Sequence, residues 1–188
     1  MERYRDGKIP IQRFELYNFG YSSEFLPLID KWLHIALHIG VRDLVLGVDI
    51  FTLYPCPIFK ILAAESLKEL VLSGCGLKLV SLTSGVTNCN SLRKLSLTNV
   101  HLDENMLQAL LNSCPLIVSF NCKYCSGLEK SELLNLQKIK LVSLRTHRKI
   151  NQLVKIQAPT LEHMFDSGLL EELDVVECQD LKSLDLST

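Results

Sequence analysis

Apolar and polar positions along this chain recur at a fixed interval. Leu67-Lys-Glu-Leu70-Val-Leu72-Ser-Gly-Cys75 returns as Leu92-Arg-Lys-Leu95-Ser-Leu97-Thr-Asn-Val100, and at the same step again as Ile117-Val-Ser-Phe120-Asn-Cys122-Lys-Tyr-Cys125. In each copy two apolar residues two apart share one face of a strand, so Leu70 and Leu72, or Leu95 and Leu97, point inward together. Cys89 and Cys114 fall on the same grid, each three residues before the next copy's first apolar position. Residues 11–17 alternate apolar and polar after Pro10 and predict an opening strand. Ser22 or Ser23 then caps a helix running to about Ile39, with Gly40 as its stop. Its stripe of Phe25, Leu28, Ile29, Trp32, Ala36 and Ile39 is expected to cover the open end of the core. Val41-Arg-Asp-Leu44-Val-Leu46 reads as a further strand, and Pro55 and Pro57 force an irregular connection after it. Residues 102–111 predict a short helix with Asp103 as N-cap and Met106, Leu107, Leu110 and Leu111 inward. Beyond Cys125 the grid loosens. Leu136-x-x-Ile139-x-Leu141, Val154-Lys-Ile156, a turn at Ala158-Pro159, Leu170-x-x-Leu173-x-Val175-x-x-Cys178 and Leu181-x-x-Leu184-x-Leu186 carry it on.

A spacing of L-x-x-L-x-L-x-x-N/C at a fixed period of about 20–29 residues is the mark of a leucine-rich repeat. The fold class expected is therefore α/β: one curved leucine-rich-repeat solenoid over residues 1–188. A mostly parallel sheet forms the concave side, and short helices or loops form the convex side. Residues 1–40 are read as an N-terminal strand and capping helix, 41–132 as regular repeats, and 133–188 as irregular repeats that look truncated at the end. With 37 leucines in 188 residues, each coil has enough apolar side chains for a continuous core. Such a chain presents a long surface rather than enclosing a cleft.

The segments Ile29-Asp-Lys-Trp-Leu33, Gly40 to Leu46, Ser66 to Cys75, Leu102 to Leu116, Tyr124 to Leu128 and Ile156-Gln-Ala-Pro-Thr-Leu161 resemble, in their order and spacing, plant F-box/leucine-rich-repeat proteins, which often carry an FBD domain after the repeats. The resemblance covers roughly residues 13–187. It implies the target-selecting part of a cullin-based ubiquitin ligase subunit, in which an N-terminal F-box grips the ligase adaptor and the repeats choose the target. No F-box is expected in residues 1–20, which lack its Leu-Pro-led pattern, and no FBD domain within the chain. The adaptor is thus expected as a partner only of a longer product that carries an F-box. The rival reading is a stand-alone leucine-rich scaffold or inhibitor with no ubiquitin role.

Candidate chemistry adds little. Cys122-Lys-Tyr-Cys125 is a C-x-x-C, but no second pair supplies further zinc ligands. In register, Cys122 replaces a core leucine, so both cysteines are expected to be structural. His34 and His38, four apart on the predicted helix, lie opposite its apolar stripe and read as solvated. No nucleophile elbow, phosphate loop or dinucleotide fingerprint occurs, so no enzyme, metal or cofactor is expected. The charged start, Met1 to Asp6, lacks an apolar signal segment. Seven cysteines without that signal predict reduced thiols in the cytosol or nucleus. The longest apolar stretch, Ile50 to Phe59, contains two prolines and predicts no membrane span.

Net charge is −1, but its distribution is uneven. Lys138, Lys140, Arg145, Arg148, Lys149 and Lys155 lie in a stretch free of acids, and an acidic stretch follows from Glu162. Complementary neighbouring coils explain this as well as a basic contact patch does. Without interleaved aromatic residues, nucleic acid is not expected. A protein target is expected on the concave face, where the residues flanking the inward leucines point. Those are Glu69, Val71 and Ser73, then Lys94, Ser96 and Thr98, then Ser119, Asn121 and Lys123. Lys138 and Lys140 are read as the fourth coil's positions, and Glu172 and Asp174 as a late coil's.

Overall fold

The computed structural model describes residues 11–18, 23–50, 54–77, 89–128, 130–146, 152–167 and 170–187. Its strands are β1 (Arg13–Asn18), β2 (Asp43–Val48), β3 (Tyr54–Pro55), β4 (Glu69–Ser73), β5 (Cys75–Gly76), β6 (Lys94–Thr98), β7 (Ser119–Lys123), β8 (Lys130–Leu133), β9 (Leu141–Arg145), β10 (Gln152–Gln157), β11 (His163–Ser167), β12 (Leu170–Val176) and β13 (Ser183–Ser187). Among the described residues three α-helices join them: α1 (Leu26–His38), α2 (Ile58–Leu62) and α3 (Glu104–Asn112).

One strand from each coil enters a parallel eight-stranded sheet, ordered β1-β2-β4-β6-β7-β9-β11-β13. Its register aligns Arg13, Asp43, Glu69, Lys94, Ser119, Leu141, His163 and Ser183 in a single row. The interval along that row is longest from Arg13 to Asp43 and equal from Glu69 to Lys94 and from Lys94 to Ser119. It shortens after Ser119 and is shortest in the last step, His163 to Ser183. The inward positions stack into one core: Leu44 and Leu46, Leu70 and Leu72, Leu95 and Leu97, Phe120 and Cys122, Val142 and Leu144 are all buried. The row of leucines that recurs along the sequence thus becomes a column of leucines between coils.

The opposite side of the core changes character along the chain. Early coils close it with α1 and α2, and the coil between β6 and β7 closes it with α3. From Lys130 onward a second parallel sheet, β12-β10-β8, takes over. A helix rises about 1.5 Å per residue and a strand about 3.3 Å, so a coil closed by a strand spans the same distance with a shorter piece of chain. That accounts for the shortening of the interval after Ser119. After β4, β6 and β7 the chain turns through a left-handed residue: Gly74 (φ +70°), Asn99 (φ +50°) and Tyr124 (φ +54°). At Gly74 the turn is tight, since an added Cβ would lie 1.8 Å from the Val48 carbonyl oxygen.

Several expectations need correction. The first helix begins with a 3-10 turn at Ser23–Phe25, and Phe25 takes the N-cap place without a side-chain hydrogen bond. Ser22 lies outside the described residues. The buried face of α1 is Ile29, Leu33 and Ala36, while Phe25 and Leu28 are 45% and 47% exposed. Few polar residues punctuate Leu26 to Leu37, so the pattern fixed the helix but not its rotation. Nor does α1 cap an end of the core: it covers the convex side of the first coil, and β1 is the terminal strand. The Pro55–Pro57 connection holds a short strand, β3, paired with β5, and the helix α2. Asp103 is the N-cap of α3, accepting from Met106 N–H at 2.8 Å, as expected.

The late region differs most. Within 133–188 the described residues form coils that are shorter and closed by strands. Leu136-x-x-Ile139-x-Leu141 is out of register, because Ile139-x-x-Val142-x-Leu144 overlaps it with the same spacing, and that second set is buried. Leu161-x-x-Met164-x-Asp166 is a further coil, hidden in the sequence because an aspartate stands where a core residue belongs.

Candidate protein-interaction face

Three rows of side chains run across the outer surface of the large sheet. Glu69, Val71 and Ser73, then Lys94, Ser96 and Thr98, then Ser119, Asn121 and Lys123 occupy it in the expected order. The next coils contribute Leu141, Ser143 and Arg145, then His163, Phe165 and Ser167, then Ser183, Asp185 and Ser187. Lys138 and Lys140 are not on this face. They precede β9 and are exposed at its flank. Glu172 and Asp174 are also elsewhere, on β12 in the convex sheet, where Asp174 lies 3.6 Å from Lys155. The Leu170-x-x-Leu173 spacing fits a convex strand as well as a concave one, which is why the pattern misplaced it. Arg145, Phe165 and Asp185 were missed, and the signal for them was Ile139-x-x-Val142-x-Leu144 and its successors.

The basic stretch from Lys138 to Lys155 does not form one patch. Lys140 pairs with Glu162 at the flank, Arg145 points to the concave face, and Lys155 sits on the convex sheet. Arg148 and Lys149 lie outside the described residues. Glu162 is held between two coils, 2.7 Å from Lys140 and 2.6 Å from Lys182. Hydrogen bonds from Lys140 and then Lys182 draw its carboxyl down to about 2.

A pocket of about 170 Å³ opens on the concave side of the late coils, lined by Lys123, Ser143, Arg145, Phe165, Asp166, Ser167, Asp185 and Ser187, among others. Arg145 is aimed by two contacts. Its Nε donates to Ser167 Oγ at 2.8 Å, and its guanidinium carbon lies 5.7 Å from the centre of the Tyr124 ring. Beneath the pocket Asp166 occupies the inward position that Leu72 and Leu97 hold earlier. It is 3% exposed, and its Oδ2 has no hydrogen-bond partner among the described residues. Burial lifts its carboxyl to about 6.

The cysteines behave as core. Cys122 is buried in the leucine column, where its hydrogen bond with Cys125 and burial hold the thiol well above its ordinary value. Cys125 donates to the Lys123 carbonyl at 3.6 Å. His34 and His38 stand exposed with their rings 6.4 Å apart. Among the described residues no three metal-ligating side chains cluster, and no helix is long and apolar enough to cross a membrane.

Residues 6–188 match the domain family described as At1g61320/AtMIF1, LRR domain. An Arabidopsis thaliana protein named as a putative F-box protein, At1g49610, is 32% identical over 119 residues, which is 63% of this chain and 29% of that protein. F-box/LRR-repeat protein 25 of the same plant is 27% identical over 137 residues, 70% of this chain and 51% of that protein. The chain therefore spans about half or less of the curated relatives it matches. No solved structure matches it.

Proposed function

The chain belongs to the leucine-rich-repeat domain family described as At1g61320/AtMIF1, and from that premise we propose that it is a protein-interaction module that grips a protein target on its concave sheet. In this reading it works in the cytosol or nucleus as the target-selecting part of an F-box-type ubiquitin ligase subunit. The ligase adaptor is bound only by a longer product that carries an F-box. The observation that carries the reading is the open sheet of eight parallel strands, whose outward residues are mostly small, polar or charged, with Tyr17 and Phe165 exposed among them. The F-box names of the two relatives support the ligase context.

A photo-crosslinking amino acid placed at Ser96, in the middle of the concave face, tests it against one at Asn105 on α3. The target should be captured from Ser96 and not from Asn105, and its ubiquitination should require the F-box-bearing product. Capture from Asn105 alone defeats the concave assignment. Stoichiometric co-purification of this chain with the adaptor defeats the division of labour.

A further inference from the structure

Neighbouring strands of a sheet place their outward side chains about 5 Å apart, and like charges directly opposite one another are destabilising. On this molecule facing charges mostly alternate in sign. Arg13 faces Asp43, Glu69 lies 3.9 Å from Lys94, and Lys155 lies 3.6 Å from Asp174. Two facing pairs break the rule: Asp43 and Glu69, each with a cation opposite on its other side, and Lys123 and Arg145. Lys123 and Arg145 are direct register partners on β7 and β9, and neither has a carboxylate within ion-pair distance among the described residues. Arg145 is nonetheless held in place by Ser167 and Tyr124, and both cations line the same pocket as the hydroxyls of Ser143 and Ser187. Two like-charged side chains without a counter-ion at the mouth of a pocket are an arrangement that a bound anion would complete.

We propose that Lys123 and Arg145 bind a carboxylate side chain, Asp or Glu, presented by an extended segment of the protein partner. This rests on the concave-face reading and names its chemistry. A guanidinium is suited to a planar carboxylate in bidentate geometry. Asp166 and Asp185 in the same lining oppose an approaching anion, and a phosphate dianion more strongly than a single carboxylate. Phe165, 41% exposed beside the pocket, offers an apolar contact to a neighbouring residue of the same segment.

Random dodecapeptides displayed on phage and panned on the purified chain provide the test. Enriched peptides should carry Asp or Glu, and their synthetic versions should bind Lys123→Ala/Arg145→Ala about tenfold more weakly, the loss expected when a partly buried charge pair is truncated. K123E/R145E should instead prefer the same peptides with Lys at the acidic position, a reversal that a merely structural role would not produce. Both variants change exposed or half-exposed side chains, and an unchanged melting temperature confirms that they fold. Peptides that lose binding on Ser96→Trp yet keep it on the double alanine variant overturn the pocket and leave the concave reading standing. Peptides insensitive to all three variants count against both readings. A phosphoserine version that binds tenfold tighter than the Glu version overturns the carboxylate choice, and an absence of enriched peptides counts against the pocket.

Discussion

The coils before Ser126 and those after it build the same concave strand on different foundations. The longer early coils have an apolar core, with Leu67, Leu70, Leu72, Leu92, Leu95 and Leu97 essentially inaccessible. The shorter late coils place Asp166 in that column, Ser131 in the convex sheet's buried layer, and Leu184 and Leu186 at an edge where about half of each is exposed. The early region is therefore where stability concentrates. The late region, with Lys123, Arg145 and the pocket at its border, is where polar groups are tolerated. Functional surfaces commonly draw on the less stable part of a fold.

The same charge placed in each region should have very different effects. Leu95→Asp buries an unpaired carboxylate between coils and should cost more than about 4 kcal/mol, enough to abolish the cooperative thermal transition. Leu186→Asp, at the exposed edge, should cost under about 1 kcal/mol. If circular dichroism melts show the two variants equally damaged, the regions do not differ as argued.

Backbone geometry gives the next largest effect. Gly74→Ala forces a Cβ against the Val48 carbonyl in a left-handed conformation and should cost about 2–3 kcal/mol in urea unfolding. A neutral result would mean the early turn is looser than its contacts indicate.

Asp166→Leu should act in the opposite direction. Restoring the apolar column removes a buried carboxyl with an unpartnered oxygen and should raise stability by about 2 kcal/mol at pH 7. The folded state raises this carboxyl from 3.8 to about 6. Folded protein therefore holds the proton more tightly, so the penalty is absent below about pH 4 and complete above about pH 6. The gap between variant and wild type should shrink as pH falls through that window. A gap independent of pH would remove Asp166 as its cause.

Glu162→Gln should have the smallest effect. Its carboxyl is drawn down from 4.5 to about 2, so its contribution is present above about pH 4.5 and fades as pH falls toward 2. Lys140 and Lys182 are exposed, so any loss in melting temperature should vanish in about 1 M salt.

How much of this was legible in the sequence follows the same division. Where two leucines recur with a fixed period, as at Leu70 and Leu72 or Leu95 and Leu97, spacing alone gave the strand, its inward face and the outward residues Glu69 to Lys123. Two overlapping solutions existed at 136–144, and the sequence offered no ground to choose between Leu141 and Val142 as the inward residue. Tertiary packing chose Val142. The coil at Leu161 stayed hidden because Asp166 reads as surface, and only burial between Leu144 and Leu186 shows otherwise. The helix α1 was found but rotated, since its apolar residues nearly encircle it. Lys123 was placed correctly, but its pairing with Arg145 depends on a register that the loosened grid concealed.

The change of convex element also alters the molecule's shape. Packed helices stand about 8–10 Å apart and strands about 4.8 Å, so a coil backed by a helix is a wedge and a coil backed by a strand is a slab. On the first two strands the outward side is crowded: Val45 is only 5% exposed, and the Tyr17 ring lies so close over Gly47 that an added Cβ would meet it at 2.6 Å. On the late strands Phe165 and Asp185 are exposed. The late coils therefore present separate, exposed side chains on this face, where the first coils present a filled one.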